Sequence, residues 1–313
     1  MAPRPPAHHS KAAYTRRRLL VGGVAASVGA LGWWAVREAD AAYHDMLAWS
    51  GLDQGACHNT SRDVCGAPGA NITGTFFSSY RHTKVTYRVG YPPGHGPGSE
   101  IPLVFMLHGF GGNHASGVAG YSPAQAAALQ RDGVSLPPVA IVTMDGGQGY
   151  WHPHPDDDPM GMVVYELLPM MQRQGLGRRP GSVGVMGLSM GGYGAIAFAE
   201  NHPGIFRAVA AISPAIFVTY EHVHYVNPGA YSSAAEFARY DAVTHTAPLR
   251  DVPLRVASGA SDPFHWWVED FEAALPSGSP AQFFYPPGAH NQDFFQPQAF
   301  PSLAFLTSHL ASS

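Results

Sequence analysis

The chain has 313 residues, 45% of them hydrophobic and only 13% charged, with a formal net charge of −4. That length and apolar share suit one sizeable catalytic domain with its own core. There is no basic excess to attract nucleic acid, and no run of like charge suggests an interaction tail.

Residues 1–18 carry Arg4, Lys11, Arg16, Arg17 and Arg18 and no acid; an apolar stretch, Leu19 to Val36, follows, and then Ala39-Asp40-Ala41. A basic start, an apolar middle and a small-residue end are the parts of a cleavable export signal. The run Thr15-Arg16-Arg17-Arg18-Leu19-Leu20 resembles a twin-arginine signal, so residues 1–41 are expected to send the chain to the envelope or the medium. The competing reading is an uncleaved single-span anchor, because this apolar stretch just reaches spanning length. Such an anchor would be its one link to a membrane.

Residues 42–75 are polar and Gly-rich and read as an irregular lead-in. Within them stand the two cysteines, Cys57 and Cys65. In an oxidising compartment such a pair is expected to close a small loop, whereas a metal site would need more ligands than two thiols. From residue 76 to 313 the pattern is that of a catalytic domain. Val85, Tyr87, Val89 and Tyr91 alternate with Thr86, Arg88 and Gly90, as in a half-buried strand. Ile101 to Leu107, Val139 to Met144 and Val183 to Leu188 are short continuous apolar runs, as strands covered on both faces require. Ala208 to Ile212, Leu254 to Ala257 and Gln282 to Tyr285 are weaker cases. Helical spacing lies between them at Ala124 to Arg131, Met160 to Gln174, Tyr193 to Asn201, Trp266 to Leu275 and Phe300 to Leu310. The alternation predicts an α/β fold, a mostly parallel central sheet with helices on both faces. Chemistry is then expected just past the carboxyl ends of the strands.

Gly187-Leu188-Ser189-Met190-Gly191 stands at such an end. The bare pattern G-x-S-x-G is weak, but strand before and helix after make it a nucleophile elbow, with Ser189 as nucleophile. Leu107-His108-Gly109-Phe110-Gly111-Gly112 ends another strand. A tetrahedral acyl intermediate needs two donors aimed at its oxyanion. The N–H groups of Met190 and Phe110 are the candidates, with the surrounding glycines letting the loop backbone turn inward. His108 precedes Ser189 and reads as structural. Asp262 follows the strand ending near Ala257 and is the expected acid; Asp251, Glu269 and Asp270 are poorer placed. His290, after the last strand, is the expected general base, with His265 the rival.

Gly187 to Ala195 (GLSMGGYGA), Gly259 to Phe264 (GASDPF), Gly288 to Phe295 (GAHNQDFF) and Asp145 to Trp151 (DGGQGYW) together resemble the esterase family that contains esterase D (S-formylglutathione hydrolase), feruloyl esterases and the antigen 85 mycolyltransferases. The resemblance implies the α/β-hydrolase fold, a cofactor-free ester hydrolase or acyltransferase, and an oxyanion hole at Phe110 and Met190. The antigen 85 type has bulkier residues where this chain has Gly191-Gly192, and a Glu where it has Asp262. That tilts the expectation from acyl transfer to a sugar hydroxyl towards hydrolysis. A non-catalytic envelope protein on the same fold is the rival from another class. Expected substrates are small-molecule, lipid or polysaccharide esters, taken by a monomer.

Trp151 and Gly109 are the candidate substrate-contacting residues, Trp151 being equally readable as core. His152 and His154 beside Asp156, Asp157 and Asp158, and the pair His222 and His224, invite a metal reading. No H-E-x-x-H or cysteine cluster supports it, and these segments read as polar loops without metal.

Overall fold

A computed structural model describes residues 63–311. The strands in chain order are β1 (Asp63–Cys65), β2 (Asn71–Ser78), β3 (Thr83–Gly90), β4 (Leu103–Leu107), β5 (Leu129–Arg131), β6 (Val134–Ser135), β7 (Ala140–Met144), β8 (Val183–Leu188), β9 (Ala208–Ile212), β10 (Leu254–Ala257) and β11 (Ala281–Phe284). Eight of them form one sheet in the order β11-β10-β9-β8-β4-β7-β3-β2. From β7 to β11 every pair is parallel; β3 and β2 are added antiparallel at one edge.

The continuous apolar runs are explained by burial on both faces. Every residue of β4, β7, β8, β9 and β10 is buried. Along β4, Leu103, Phe105 and Leu107 enter one core while Val104 and Met106 enter the other, as the two-residue period demands. Burying a side chain of that size contributes about 1.5–3 kcal/mol, so a one-residue slip of β4 would disturb both layers.

The helices are α1 (Pro123–Ala127), α2 (three continuous pieces, Pro159–Gly161, the π-helical Met162–Leu167 and Leu168–Arg173), α3 (Met190–Asn201), α4 (Tyr220–Val226), α5 (Ala234–Tyr240), α6 (His265–Ala274) and α7 (Gln292–His309). Helices α2, α3 and α6 cover the face reached by Leu103, and α1 and α7 cover the opposite one.

Three sequence expectations change. The helix expected over Ala124 to Arg131 stops at Ala127, and Leu129–Arg131 becomes a strand paired with β1. The Arg131 guanidinium bonds both carboxylate oxygens of Asp63, at 2.5 and 2.7 Å, which ties the two strands together. The stretch 42–75, read as irregular, holds β1 and the first five residues of β2, which pairs with β3 along its full length. As an edge strand it leaves Phe77 69% exposed, so its apolar pattern does not follow burial. Helix α7 starts at Gln292 rather than near Phe300 and carries Pro297 and Pro301 inside it. Asn291 caps it, its side chain accepting the Phe294 N–H.

Among the described residues no helix is long and apolar enough to cross a membrane. Residues 1–41 and Cys57 lie outside the described range.

Candidate active site

Ser189 sits between β8 and α3 with φ +56° and ψ −118°. A non-glycine residue there carries about 1–3 kcal/mol of strain and persists only when its surroundings hold it. Here the Ser189 N–H donates to Ile212 O at 2.9 Å, and its carbonyl accepts from Tyr193 and Ala215, both at 3.0 Å. The flanking glycines are demanded by close approach. A Cβ on Gly187 would lie 1.9 Å from Gly191 O, and one on Gly191 would lie 2.0 Å from Leu107 O. The elbow is therefore pressed against the end of β4 with no room for side chains.

That contact brings the loop after β4 beside the serine. A Cβ on Gly109 would stand 3.5 Å from Ser189 Cβ, and Phe110 follows it, half-buried. Met190 is the first residue of α3, where an N–H has no carbonyl within the helix to bond and where the helix dipole favours negative charge. The loop is latched from behind by Gln148, whose Oε1 accepts the Gly111 N–H at 2.5 Å and whose Nε2 donates to Gly112 O at 3.1 Å.

Asp262 and His290 arrive from loops that bond to each other. Ser261 N–H donates to Gly288 O at 2.8 Å and Ala260 N–H to Pro286 O at 2.9 Å. Asp262 Oδ1 accepts the Phe264 N–H at 2.9 Å, which leaves Oδ2 turned to His290 Nδ1 at 2.8 Å. His290 Nε2 lies 2.9 Å from Ser189 Oγ. The carboxylate accepts the Nδ1 proton, so the Nε2 lone pair faces the serine hydroxyl. All three side chains are buried. His265, the rival base, faces Glu269 at 3.7 Å instead.

His108 has a different task. Its Nε2 accepts the Gly146 N–H at 3.0 Å, so its Nδ1–H donates to Gly109 O at 2.8 Å. Burial pulls its pKa down to about 4, against the Gly109 bond, which raises it. The neutral ring is a brace between the β4 and β7 loops.

Trp151 is corrected. It is fully buried, its indole N–H donates to His108 O at 3.1 Å, and its ring packs on Phe198. A Cβ on Gly146 or Gly194 would fall 2.1 and 2.7 Å from it. Trp151 is core beneath the nucleophile helix and cannot touch a substrate. Gly109 does lie beside Ser189. Sequence reasoning passed over Gln148 and the cap Asn291, both of which position these loops. Two surface cavities, about 370 and 660 Å³, lie away from Ser189, one by Pro102 and Leu310 and one by Arg255 and Phe284.

The sheet order, the strained serine after β8 and the two loops carrying Asp262 and His290 define an α/β-hydrolase fold. Solved structures share it. A ferulic acid esterase is 21% identical, with TM-score 0.62 over 77% of this chain and 98% of its own. An S-formylglutathione hydrolase from Agrobacterium tumefaciens is 20% identical, with TM-score 0.58 over 80% and 99%. MPT51 of Mycobacterium tuberculosis is 15% identical, with TM-score 0.60 over 78% and 100%. No curated protein sequence matches. Residues 78–277 match the family model described as "Putative esterase", and the chain belongs to that family. It is thereby an ester hydrolase of the carboxylesterase kind, with small-molecule esters as its substrate class.

Proposed function

We propose that the protein is an exported serine esterase that works through an acyl-enzyme on Ser189. The observation that carries this reading is the unbroken line from Asp262 Oδ2 to His290 Nδ1 at 2.8 Å and from His290 Nε2 to Ser189 Oγ at 2.9 Å. His290 takes the hydroxyl proton as Ser189 Oγ attacks the ester carbonyl, and Asp262 stabilises the imidazolium. The N–H groups of Phe110 and Met190 hold the oxyanion. Collapse of the intermediate expels the alcohol, which receives the proton from His290. Water, deprotonated by the same imidazole, then releases the acid and regenerates Ser189. No cofactor enters the scheme.

Export rests on the twin-arginine-like start, with a Cys57–Cys65 disulfide as its expected companion; cell fractionation of the wild type beside Arg16→Lys/Arg17→Lys tests it. The chemistry is tested by an ester panel of graded acyl length that includes a feruloyl ester and S-formylglutathione, after the named relatives. Wild type is expected to hydrolyse at least one member and Ser189→Ala none; equal turnover by both would overturn the mechanism. A polyol added as acceptor separates hydrolysis from acyl transfer by its products.

A further inference from the structure

A second group of imidazoles and a carboxylate gathers around the residues just after Trp151 in the chain. His152 and His154 come from the loop between β7 and α2, and Glu236 comes from α5. His152 Nε2 is 2.7 Å from Ala230 O, and His154 Nε2 is 2.7 Å from Gly149 O. Carbonyl oxygens only accept, so each Nε2 carries a proton, and a ring that is neutral then has its lone pair on Nδ1. Both lone pairs turn to the same atom: Glu236 Oε1 lies 3.6 Å from His152 Nδ1 and 3.0 Å from His154 Nδ1. That oxygen is buried and accepts no hydrogen bond. The other carboxylate oxygen is already held, by the N–H of Ser232 at 2.6 Å and by its hydroxyl. The Pro153 carbonyl, 3.1 Å from His152 Nδ1, adds one more electron-rich atom.

The two Nδ1 atoms, Glu236 Oε1 and the Pro153 carbonyl thus face one small volume, and unless a ring takes a second proton they meet there as electron-pair donors only. Something positive must stand between them. We infer that His152, His154 and Glu236 form a site for a divalent transition metal of the zinc class.

The geometry suits it. All three ligand atoms lie within 4.8 Å of one another. Ligands at about 2.0–2.2 Å in a tetrahedron are separated by about 3.3–3.6 Å, and the two measured separations bracket that range within a few tenths. Two imidazoles and one carboxylate select zinc-like ions over calcium or magnesium, which prefer all-oxygen sets. Each ligand is oriented by an outer partner, as metal-binding histidines and carboxylates require. His152 is further fixed between the rings of Tyr231 and Tyr240, 4.4 and 4.7 Å away. The side chains of His154 and Glu236 keep 16% and 11% exposure, which leaves an entry path and room for water as a further ligand. The metal would clip the β7–α2 loop to α5. It would brace the corner at Tyr150 and Trp151, where φ is +58° and +60°, without touching the serine.

The test uses the full chain, stripped with chelator and titrated with Zn²⁺ alone. One zinc per chain is expected, with Tm rising about 5–10 °C at a hundredfold excess over Kd. Glu236→Gln and His154→Ala should each bind at least tenfold more weakly and lose the Tm rise. His224→Ala, altered at an exposed histidine on α4, should titrate like wild type. X-ray absorption of the zinc-loaded wild type, which needs no variant, should count two imidazoles and a carboxylate. Failure to take up zinc, or unaltered binding in both site variants, would overturn the assignment. So would a coordination shell without two imidazoles, because a bridging proton would then be what the cluster holds.

Discussion

Two of the places where imidazoles face a carboxylate, the serine site and the cluster at Glu236, differ at the far ring nitrogen. His290 gives its Nδ1–H to Asp262 and meets a hydroxyl with its other nitrogen. His152 and His154 turn their Nε2–H groups to main-chain carbonyls and their Nδ1 atoms to Glu236. In the first arrangement the carboxylate fixes the tautomer and leaves a lone pair on a reactive oxygen's proton, which is what proton transfer needs. In the second the backbone fixes the tautomer and the lone pairs converge, which is what a cation needs. The residue types alone do not separate the two; the partner of the second nitrogen does.

The comparison breaks first at Asp262. Asp262→Asn should keep the fold and lower kcat by about 10⁴-fold, because an amide no longer selects the reactive tautomer; steady-state kinetics on the best ester of the panel measures it. A next test uses His108, another buried imidazole, which serves neither role. Burial holds its folded pKa at about 4, below the ordinary histidine value of about 6.5. Above pH 6.5 both states are neutral and the full stability is present. As pH falls from 6.5 to about 4 the unfolded chain binds a proton that the folded one refuses, and up to about 3 kcal/mol is lost. Denaturant unfolding across that window should show the loss, and His108→Gln, which can still accept the Gly146 N–H, should flatten it. Trp151→Phe should cost about 1–3 kcal/mol by calorimetry through the lost bond to His108 O and the space left over Gly194. Its relative rates across the ester panel should stay as in wild type. The smallest effect is expected at the other pairing: Glu236→Gln should change kcat/KM by no more than a few-fold, since that carboxylate never meets the reacting atoms.

Legibility followed the same division. Ser189, Asp262 and His290 each stand just past an apolar run, so the parallel sheet that the runs imply carries all three to one rim. Glu236 could not be found this way. It lies on a short helix with little apolar periodicity, and nothing in the spacing of His152 and His154 points to it. Trp151 was ambiguous because it too follows a strand. What buries it is the absence of side chains at Gly146 and Gly194, a fact of distant packing rather than of local pattern. The strand β2 was missed for an edge reason: with one side unpaired and Phe77 outward, its residues are not forced into alternation. The helix α7 begins eight residues before Phe300, where its expected spacing started, and tertiary packing of Phe294, Leu303 and Leu306 holds it continuous through Pro297 and Pro301.

The most direct test of the central claim is covalent. A fluorophosphonate incubated with the full-length protein, followed by digestion and mass mapping, reports which hydroxyl is activated. The account predicts stoichiometric phosphonylation of Ser189, slowed by orders of magnitude in His290→Ala and absent in Ser189→Ala. Label on any other residue, or an equal rate in the His290 variant, would contradict it.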